Sequence, residues 1–460
     1  MDPLLFIAIF SAKFLKIVIK LSKRGGGTAA PGLLALKIYP RLIENLSLKL
    51  EDGSVVISGT NGKTTTSRII SSILNEAKIA VIHNRSGSNL ERGIASTLID
   101  HTGLTGKIKS KIGLFEVDEA VLPSAIAKIK PKIVILTNLF RDQLDRYGEV
   151  DKTRRLWKEA LEKLPPTTTV ILNTDDPGIA HLGHYLKTKV VYFGIEDETF
   201  GQKELFRSAD TKYCATCSTP LTYELVFASH LGKYTCKTCQ SERPKPQVWA
   251  AKIKLLGIEK SEVIVRAQKE RFNLNFSAGG LYNIYNILAA VAAAKALEID
   301  KRVITGGVEK FKTVFGRIEK FQIQGRKILM FLVKNPTGFN EVIRTIFETT
   351  DKKNVLISIN DLLADGRDVS WLWDVDFEKL DGKVKNMVTC GIRAKDMSLR
   401  LKYAEIDGVT VTEKIKEAIE KIFDQTKKAE EIYFLPTYTA MLETRKILTK
   451  MSNAKRFWED

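Results

Sequence analysis

The stretch VISGTNGKTTTSR, residues 55–67, joins an apolar run to a glycine-rich turn and then to a run of helix formers. Strand, glycine turn and helix in that order are what a phosphate-binding loop needs. Gly59 and Gly62 let backbone N–H groups turn inward on phosphates, and the N-terminus of the next helix adds the positive end of its dipole. In such loops the lysine, here Lys63, reaches the terminal phosphates and the hydroxyl, here Thr64, ligates magnesium. Ile57 departs from the pattern, because G-x-x-x-x-G-K-[ST] wants its first glycine there. The plain alternative is an ordinary strand-to-helix turn.

Outward from this loop, apolar strands alternate with amphipathic helices. SVVISG (54–59), IAVIHN (79–84), KIGLFEVDE (111–119), KIVILTN (132–138) and TTVILNTDDP (168–177) read as strands. KTTTSRIISSILNEA (63–77), NLERGIASTLIDH (89–101) and DKTRRLWKEALEKL (151–164) read as helices. The alternation predicts an α/β core with a parallel sheet covered on both faces, over residues 51–315. Ligands of open α/β sheets bind beyond the strand ends, which makes Glu116 a second magnesium ligand and brings Asn138, Asp142 and Asp145 to the same edge. Singly, each is equally a helix cap or a surface carboxylate. From residue 316 to 460 a second α/β pattern follows, in KILMFLVKN, NVLISIND, NMVTCGI and EIYFLPTYTAML, and predicts a Rossmann-like C-terminal domain.

Residues 205–245 lose the periodicity and read as an inserted module. They hold Cys214, Cys217, Cys236 and Cys239, as C-x2-C, eighteen residues, C-x2-C. Four thiolates at that spacing satisfy tetrahedral zinc with no open position, so the expected site is structural. Cys390 stands alone and is expected as a small buried residue at a strand end.

The chain has 460 residues, more than one core normally organises, and a net charge of +18 that calls for an anionic partner. Nucleic acid, a phospholipid surface and a phosphorylated substrate all meet that demand. No apolar run is long enough to span a bilayer. In the N-terminal region, residues 1–50, the stretch PLLFIAIFSAKFLKIVIKLSKR has its basic residues within and after the apolar run, unlike a signal peptide. Lys13, Lys16 and Lys20 recur at helical spacing, which predicts a basic amphipathic helix. Packing on the protein body and contact with a membrane surface both fit it. The Gly/Pro stretch RGGGTAAPG, residues 24–32, is expected to break the pattern as a loop.

SGTNGKTTT, TNLFRDQLDRYG, NTDDP, GLYNIYNILAA and FGRIEKF, in that order, resemble the ATP-dependent Mur ligases, whose G-T-N-G-K-T loop also lacks the first glycine. The resemblance implies carboxylate activation as an acyl phosphate followed by coupling to an amine, with ATP and Mg2+. It implies that Gly59, Thr60, Asn61, Gly62, Lys63, Thr64, Thr65 and Asn138 bind nucleotide, that Thr64 and Glu116 hold magnesium, that Asn283 faces adenine, and that Arg317 contacts the nucleotide. Asp175 and Asp176 match the family's D-D motif. Gln143 stands where the amino-acid-adding ligases carry a histidine, and an amide is the poorer metal ligand. The ribbon, IHNRSGSNLERGI, KNPTGFNEVI, ADGRDVSWLWDVDFE and LPTYTAML further resemble the branch that amidates lipid II with a GatD-like class I glutaminase. That branch implies a heterodimer acting in the cytoplasm at the inner face of the plasma membrane.

Asp365 to Asp368 follow a predicted strand and lie on a strand-end loop that Trp371 and Trp373 are placed to anchor. By the resemblance, Asp368 orients the catalytic histidine of the partner glutaminase. The function implied is conversion of a D-glutamate α-carboxylate to D-isoglutamine. Its rivals are a Mur-type amino-acid ligase and a zinc-ribbon, P-loop ATPase that binds nucleic acid. No recognition helix or RNP-like motif accompanies the basic charge.

Overall fold

The computed structural model describes residues 2–21, 29–84, 88–141, 150–206, 209–311, 318–347 and 351–452. Three helices open the chain: α1 (Pro3–Leu21), α2 (Ala30–Ile38) and α3 (Leu42–Ser47). The first half of the central sheet follows as β1 (Ser54–Ser58), α4 (Lys63–Glu76), β2 (Val81–His83), α5 (Glu91–Asp100), β3 (Ile112–Glu116), α6 (Leu122–Ile129) and β4 (Ile133–Leu136). The second half runs through α7 (Val150–Leu161), β5 (Thr169–Asn173), α8 (Pro177–Leu182) and β6 (Lys189–Ile195). A hairpin, β7 (Thr222–Ala228) and β8 (Leu231–Thr235), leads to β9 (Val248–Leu256), β10 (Lys260–Ala267) and β11 (Glu270–Phe276), then to helices α9 (Leu281–Ala296) and α10 (Lys301–Glu309).

These strands form one nine-stranded sheet in the order β11-β10-β9-β6-β5-β4-β1-β3-β2. From β2 to β9 every pairing is parallel. Side chains alternate across β1: Val55 and Ile57 pack against Ile69, Ile73 and α9, while Val56 packs on the opposite face with Val134, Leu136 and Trp157. All five residues of β1 are buried, as a central parallel strand requires. After β1 the chain builds β2 and β3 to one side and then crosses to β4 on the other. The crevice beyond the C-terminal end of β1 is therefore the topological switch point.

Two sequence expectations are corrected here. The sheet is not parallel throughout, because β9–β11 form an antiparallel meander on its edge. Strands β10 and β11 bury alternate residues on one face and present mostly polar and charged side chains on the other, a two-residue period unlike the continuous apolar runs of the parallel strands. The expected loop at residues 24–32 gives way to α2 by Ala30, with Pro31 in its first turn, where a missing N–H costs nothing.

The C-terminal domain holds β12 (Ile318–Ile323), β13 (Arg326–Phe331), α11 (Pro336–Ile346), β14 (Lys353–Ser358), β15 (Val384–Cys390), α12 (Ala394–Tyr403), β16 (Thr410–Val411), α13 (Ile415–Gln425), β17 (Glu431–Pro436) and α14 (Tyr438–Ser452). Its sheet order is β12-β13-β17-β14-β15-β16, parallel except for the β12–β13 hairpin. Cys390 ends β15 fully buried, and burial pushes its thiol up to about 12. It is no nucleophile at neutral pH.

Helix α10 lies on α4 through adjacent glycines. A Cβ on Gly307 would stand 2.5 Å from Ile73 Cα, whereas one on Gly306 would meet only the mobile end of Glu76 at 3.3 Å. Glycine-to-alanine in a helix ordinarily stabilises by up to about 1 kcal/mol. Gly307→Ala is expected instead to destabilise by about 1–3 kcal/mol through overpacking, and Gly306→Ala to be neutral or stabilising. Denaturant unfolding of the two variants checks the opposite signs.

Candidate active site

The phosphate loop is shaped by what surrounds it at the switch point. Gly59 (φ +135°) and Gly62 (φ +90°) adopt backbone conformations that L side chains avoid, and Gly62 caps α4. A Cβ at Gly59 would lie 2.1 Å from Thr137 Oγ1, and one at Gly62 would lie 2.1 Å from Asn286 Oδ1. The loop is thus pressed between the end of β4 and helix α9. Asn138 clamps it further: Asn61 N donates to Asn138 Oδ1 (2.8 Å), and Asn138 Nδ2 donates to Asn61 O (3.0 Å). Thr60 N donates to Asn138 O, and the Thr60 hydroxyl exchanges hydrogen bonds with the Phe140 backbone. Thr65 is buried in the first turn of α4.

Two carboxylates close the floor. Thr64 Oγ1 donates to Glu116 Oε1 at 2.8 Å. Two hard oxygens at that separation match an edge of the octahedron magnesium prefers, about 3 Å for metal–oxygen distances of about 2.1 Å. Asn84 fixes Glu116 from behind, accepting from its N–H and donating to its carbonyl, both at 2.8 Å. Lys63 is nearly buried and donates to the Gly59 carbonyl and to Glu119 Oε2, the latter at 2.9 Å. Burial alone would raise the Glu119 carboxyl, but the charges of Lys63 and Lys334 outweigh it and hold the group below its ordinary value. Glu119 therefore stays ionised beside the lysine. Trp157 supports this turn through its indole N–H, which donates to Glu119 O.

Asn283 lies one turn into α9, where its amide donates to Gly279 O at 2.6 Å. Asn286, three residues on, is the side chain that approaches the loop, accepting from Thr66 Oγ1 at 3.2 Å. Asp142, Gln143, Asp145 and Arg317 lie outside the described residues. The C-terminal domain reaches the loop through Asn335, the N-cap of α11, whose amide donates to Asn61 Oδ1 at 3.1 Å.

Asp175 and Asp176 are both fully buried and act as joints. Asp175 accepts from Arg243 Nε (2.6 Å), Ile195 N (2.8 Å) and Tyr285 OH (2.9 Å). Asp176 caps α8 and accepts from Leu139 N, while His230 Nε2 lies 3.4 Å from it. His230 lies in the β7–β8 turn and Arg243 follows β8, so the two aspartates root this hairpin beneath the β4 loop. At its far end the four cysteine sulfurs lie within 4.8 Å of one another, with Cys214–Cys239 at 3.5 Å and Cys217–Cys236 at 3.4 Å. A tetrahedron of thiolates about 2.3 Å from zinc has edges of about 3.8 Å, so the donor set fits that ion. The two knuckles are alike, each followed by a residue of positive φ, Ser218 and Gln240.

Asp368 sits on the loop after β14, where its Oδ1 accepts from Ser370 N at 2.8 Å. Asp365, by contrast, is buried and ties the loop to Thr439. Trp371 packs toward Phe339, and Trp373 stands edge-on to Tyr403. Arg141, just beyond the β4 loop, pairs with Asp210 of the insert and places Nη2 3.1 Å from Asp374. Burial would lower its guanidinium, but the charges of Asp210, Asp374 and Asp368 hold it protonated. Asp368 therefore lies in the field of a residue that follows β4 of the nine-stranded sheet.

Residues 57–294 match the Mur ligase middle domain, and residues 332–441 match the MurT ligase C-terminal domain. Along 93% of its length the chain is 34% identical to the lipid II isoglutaminyl synthase (glutamine-hydrolyzing) subunit MurT of Streptococcus pneumoniae (strain ATCC BAA-255 / R6), covering 94% of that protein. The chain belongs to the MurT branch of the Mur ligases. The corresponding Staphylococcus aureus (strain COL) subunit is 32% identical with the same coverage. Among solved structures, MurF from Acinetobacter baumannii superposes with a TM-score of 0.68 at 17% identity, covering 92% of this chain and 80% of that one. A pseudomurein peptide ligase type C from Methanothermus fervidus gives 0.67 at 23% identity, covering 86% and 78%. The fold is that of the Mur ligases.

In this Mur ligase, Glu119, Asn84, Asn286, Asn335 and Arg141 are neighbours of the loop that sequence reasoning did not single out. Glu119 lies in the same FEVDE stretch as Glu116, and Asn286 follows Asn283 by one helical turn. The donor set of the inserted module predicts one zinc per chain in protein prepared without chelator. Cys236→Ser is expected to lose the metal and lower the thermal midpoint, because a closed site contributes folding energy. Metal analysis and calorimetry check both.

Proposed function

We propose that this ligase amidates the D-glutamate α-carboxylate of the lipid II stem peptide to D-isoglutamine, using ATP and ammonia from a GatD-like class I glutaminase partner. The proposed division is an N-terminal region to residue 50, an ATP-binding domain over 51–315 carrying a structural zinc ribbon, and a partner-facing domain over 316–460. The observation that carries the reading is the presence in one chain of the Lys63–Thr64–Glu116 cluster and of Asp368 on a separate strand-end loop. The names of the MurT relatives supply the substrate and the glutamine dependence.

A carboxylate is a poor electrophile until one of its oxygens becomes a leaving group. One carboxylate oxygen attacks the γ-phosphorus of ATP, the bond to the β–γ bridging oxygen breaks, and ADP departs. Ammonia then attacks the acyl carbon, the carbon–oxygen bond to phosphate breaks, and the nitrogen loses a proton as the amide forms. Gly59 to Thr65 cradle the phosphates, and Lys63 exchanges its contact with Glu119 for charge developing on the transferring group. Magnesium held by Thr64 and Glu116 would neutralise phosphate charge. The lipid-linked substrate sets the reaction in the cytoplasm, at the inner face of the membrane.

Support for a partner on the C-terminal domain comes from apolar side chains exposed around the Asp368 loop: Leu363 (74%), Tyr403 (68%) and Trp373 (49%). Asp368 has one carboxylate oxygen bonded to its own loop, and its proposed role is to fix the tautomer of the partner's catalytic histidine.

Lys63→Ala is expected to lower amidation by about 10²–10³-fold or more, with either ammonia or glutamine as nitrogen source, while the fold is retained by circular dichroism and the thermal midpoint falls through the stranding of Glu119. Asp368→Asn is expected to cut glutamine-dependent amidation by about 10²–10⁴-fold while ammonia-dependent amidation persists. Steady-state assays of the two-subunit complex with each nitrogen source separate the roles. Equal loss with both sources in Asp368→Asn would move that residue into the ligase site.

A further inference from the structure

Helix α1 is apolar on two opposite sides. Leu5, Ala8, Ile9 and Ala12 form a fully buried stripe that seats the helix on α2 and α5. On the far side Phe6, Ile7, Phe10, Phe14, Ile17 and Leu21 are between 41% and 77% exposed. Their spacing of three and four residues makes them one continuous face, along which the rings of Phe6 and Phe10 stack at 6.2 Å. Water tolerates scattered apolar side chains, but a continuous row along one helix marks a surface that meets something.

Charge decides what it meets. From Pro3 to Leu21 the helix carries no acidic residue, and its three charged side chains are all lysines. At 100° per residue Lys13, Lys16 and Lys20 fall together on the flank between the buried stripe and the exposed face. Lys16 is anchored to Asp100 of α5 at 2.6 Å, and Lys20 is exposed. A second copy laid on this face would bring lysine flanks together, which like-charge repulsion disfavours. A layer of anionic headgroups above an acyl interior offers complementary chemistry to both features. Helix α1 does not qualify as a membrane span. It is held by its inner stripe to the protein, so its outer stripe is presented parallel to a surface.

We propose that α1 is a lipid-docking helix, inserting Phe10, Phe14 and their neighbours among acyl chains while Lys13 and Lys20 lie at anionic headgroups. The lysine stems run along the apolar surface and keep their ammonium groups at the phosphate level. The helix would hold the protein flat on an anionic bilayer, one face on lipid and the other on the nucleotide-binding domain. This docking is independent of the amidation reading, because it involves no residue of the phosphate loop or of the Asp368 loop.

The test is co-sedimentation of the full chain with vesicles of equimolar phosphatidylglycerol and phosphatidylcholine, and with vesicles of phosphatidylcholine alone, at low and moderate salt. The chain is expected to sediment with the anionic vesicles and to be weakened by salt. F10E/F14E is expected to reduce partitioning at least tenfold, and K13E/K20E several-fold, with unchanged thermal midpoints. Should F10E/F14E unfold, I17E/L21E makes the same measurement from the other end of the face. Equal sedimentation of wild type and the apolar-face variants would overturn the proposal. So would a lipid-independent dimer in sedimentation velocity that F10E/F14E dissolves, since the face would then belong to a second copy. ATP-dependent amidation in detergent solution, measured on the same variants, is expected to be unchanged.

Discussion

The geometry of the whole site rests on the absence of side chains at two positions. Gly59 has the Thr137 hydroxyl where its Cβ would be, and Gly62 has the Asn286 amide oxygen. These approaches let β4 and α9 close on the loop from two sides, and only then do the exchanges between Asn61 and Asn138 become short enough to hold it. Loop, β4 end and α9 consequently pack as one unit. Glu116 and Glu119 are set against it by β3 and the turn that follows. Side chains that must meet phosphate oxygens gain from such pre-organisation, because the loop backbone need not rearrange at the moment of reaction.

What could be read from the sequence follows from the range of each interaction. The phosphate loop was legible because its chemistry belongs to the backbone of a few consecutive residues. The cysteine knuckles were legible because each C-x2-C pair is local and thiols in that spacing have few other uses. Asn286 was hidden because its role exists only once α9 has packed on the loop, and the quoted motif containing it offered Asn283 just as readily. The D-D motif was visible, yet its work was not. Asp175 acts through Arg243 and Tyr285, sixty-eight and one hundred and ten residues away in sequence. Helix α1 shows the same limit, for its lysines have an evident period while the identity of its buried apolar side depends on α2 and α5.

Buried charge in this molecule gathers at joints between structural elements. Arg243 joins Asp175 and Glu196 where the insert meets the sheet, Arg445 pairs with Glu319 across α14 and β12, and Arg400 fills the space under the loop of Asp368 and Trp373. Such groups are costly to desolvate, and losing one partner leaves the other stranded. They specify how elements seat on one another more than they add to stability.

Arg141 ties three parts of the molecule together at one side chain. One guanidinium takes carboxylates from the insert and from the C-terminal domain, and its own backbone N–H donates to Asp210 at 2.9 Å. Together with the Asn335 contact to Asn61, it ties the arrangement of the two domains to the segment after β4 that also clamps the glycine loop. By thermodynamic reciprocity, any ligand that favours this arrangement from one side raises affinity on the other by the same factor. Nucleotide on the loop and a protein seated at Asp368 would then each report the other's presence, with Arg141 as the shared lever.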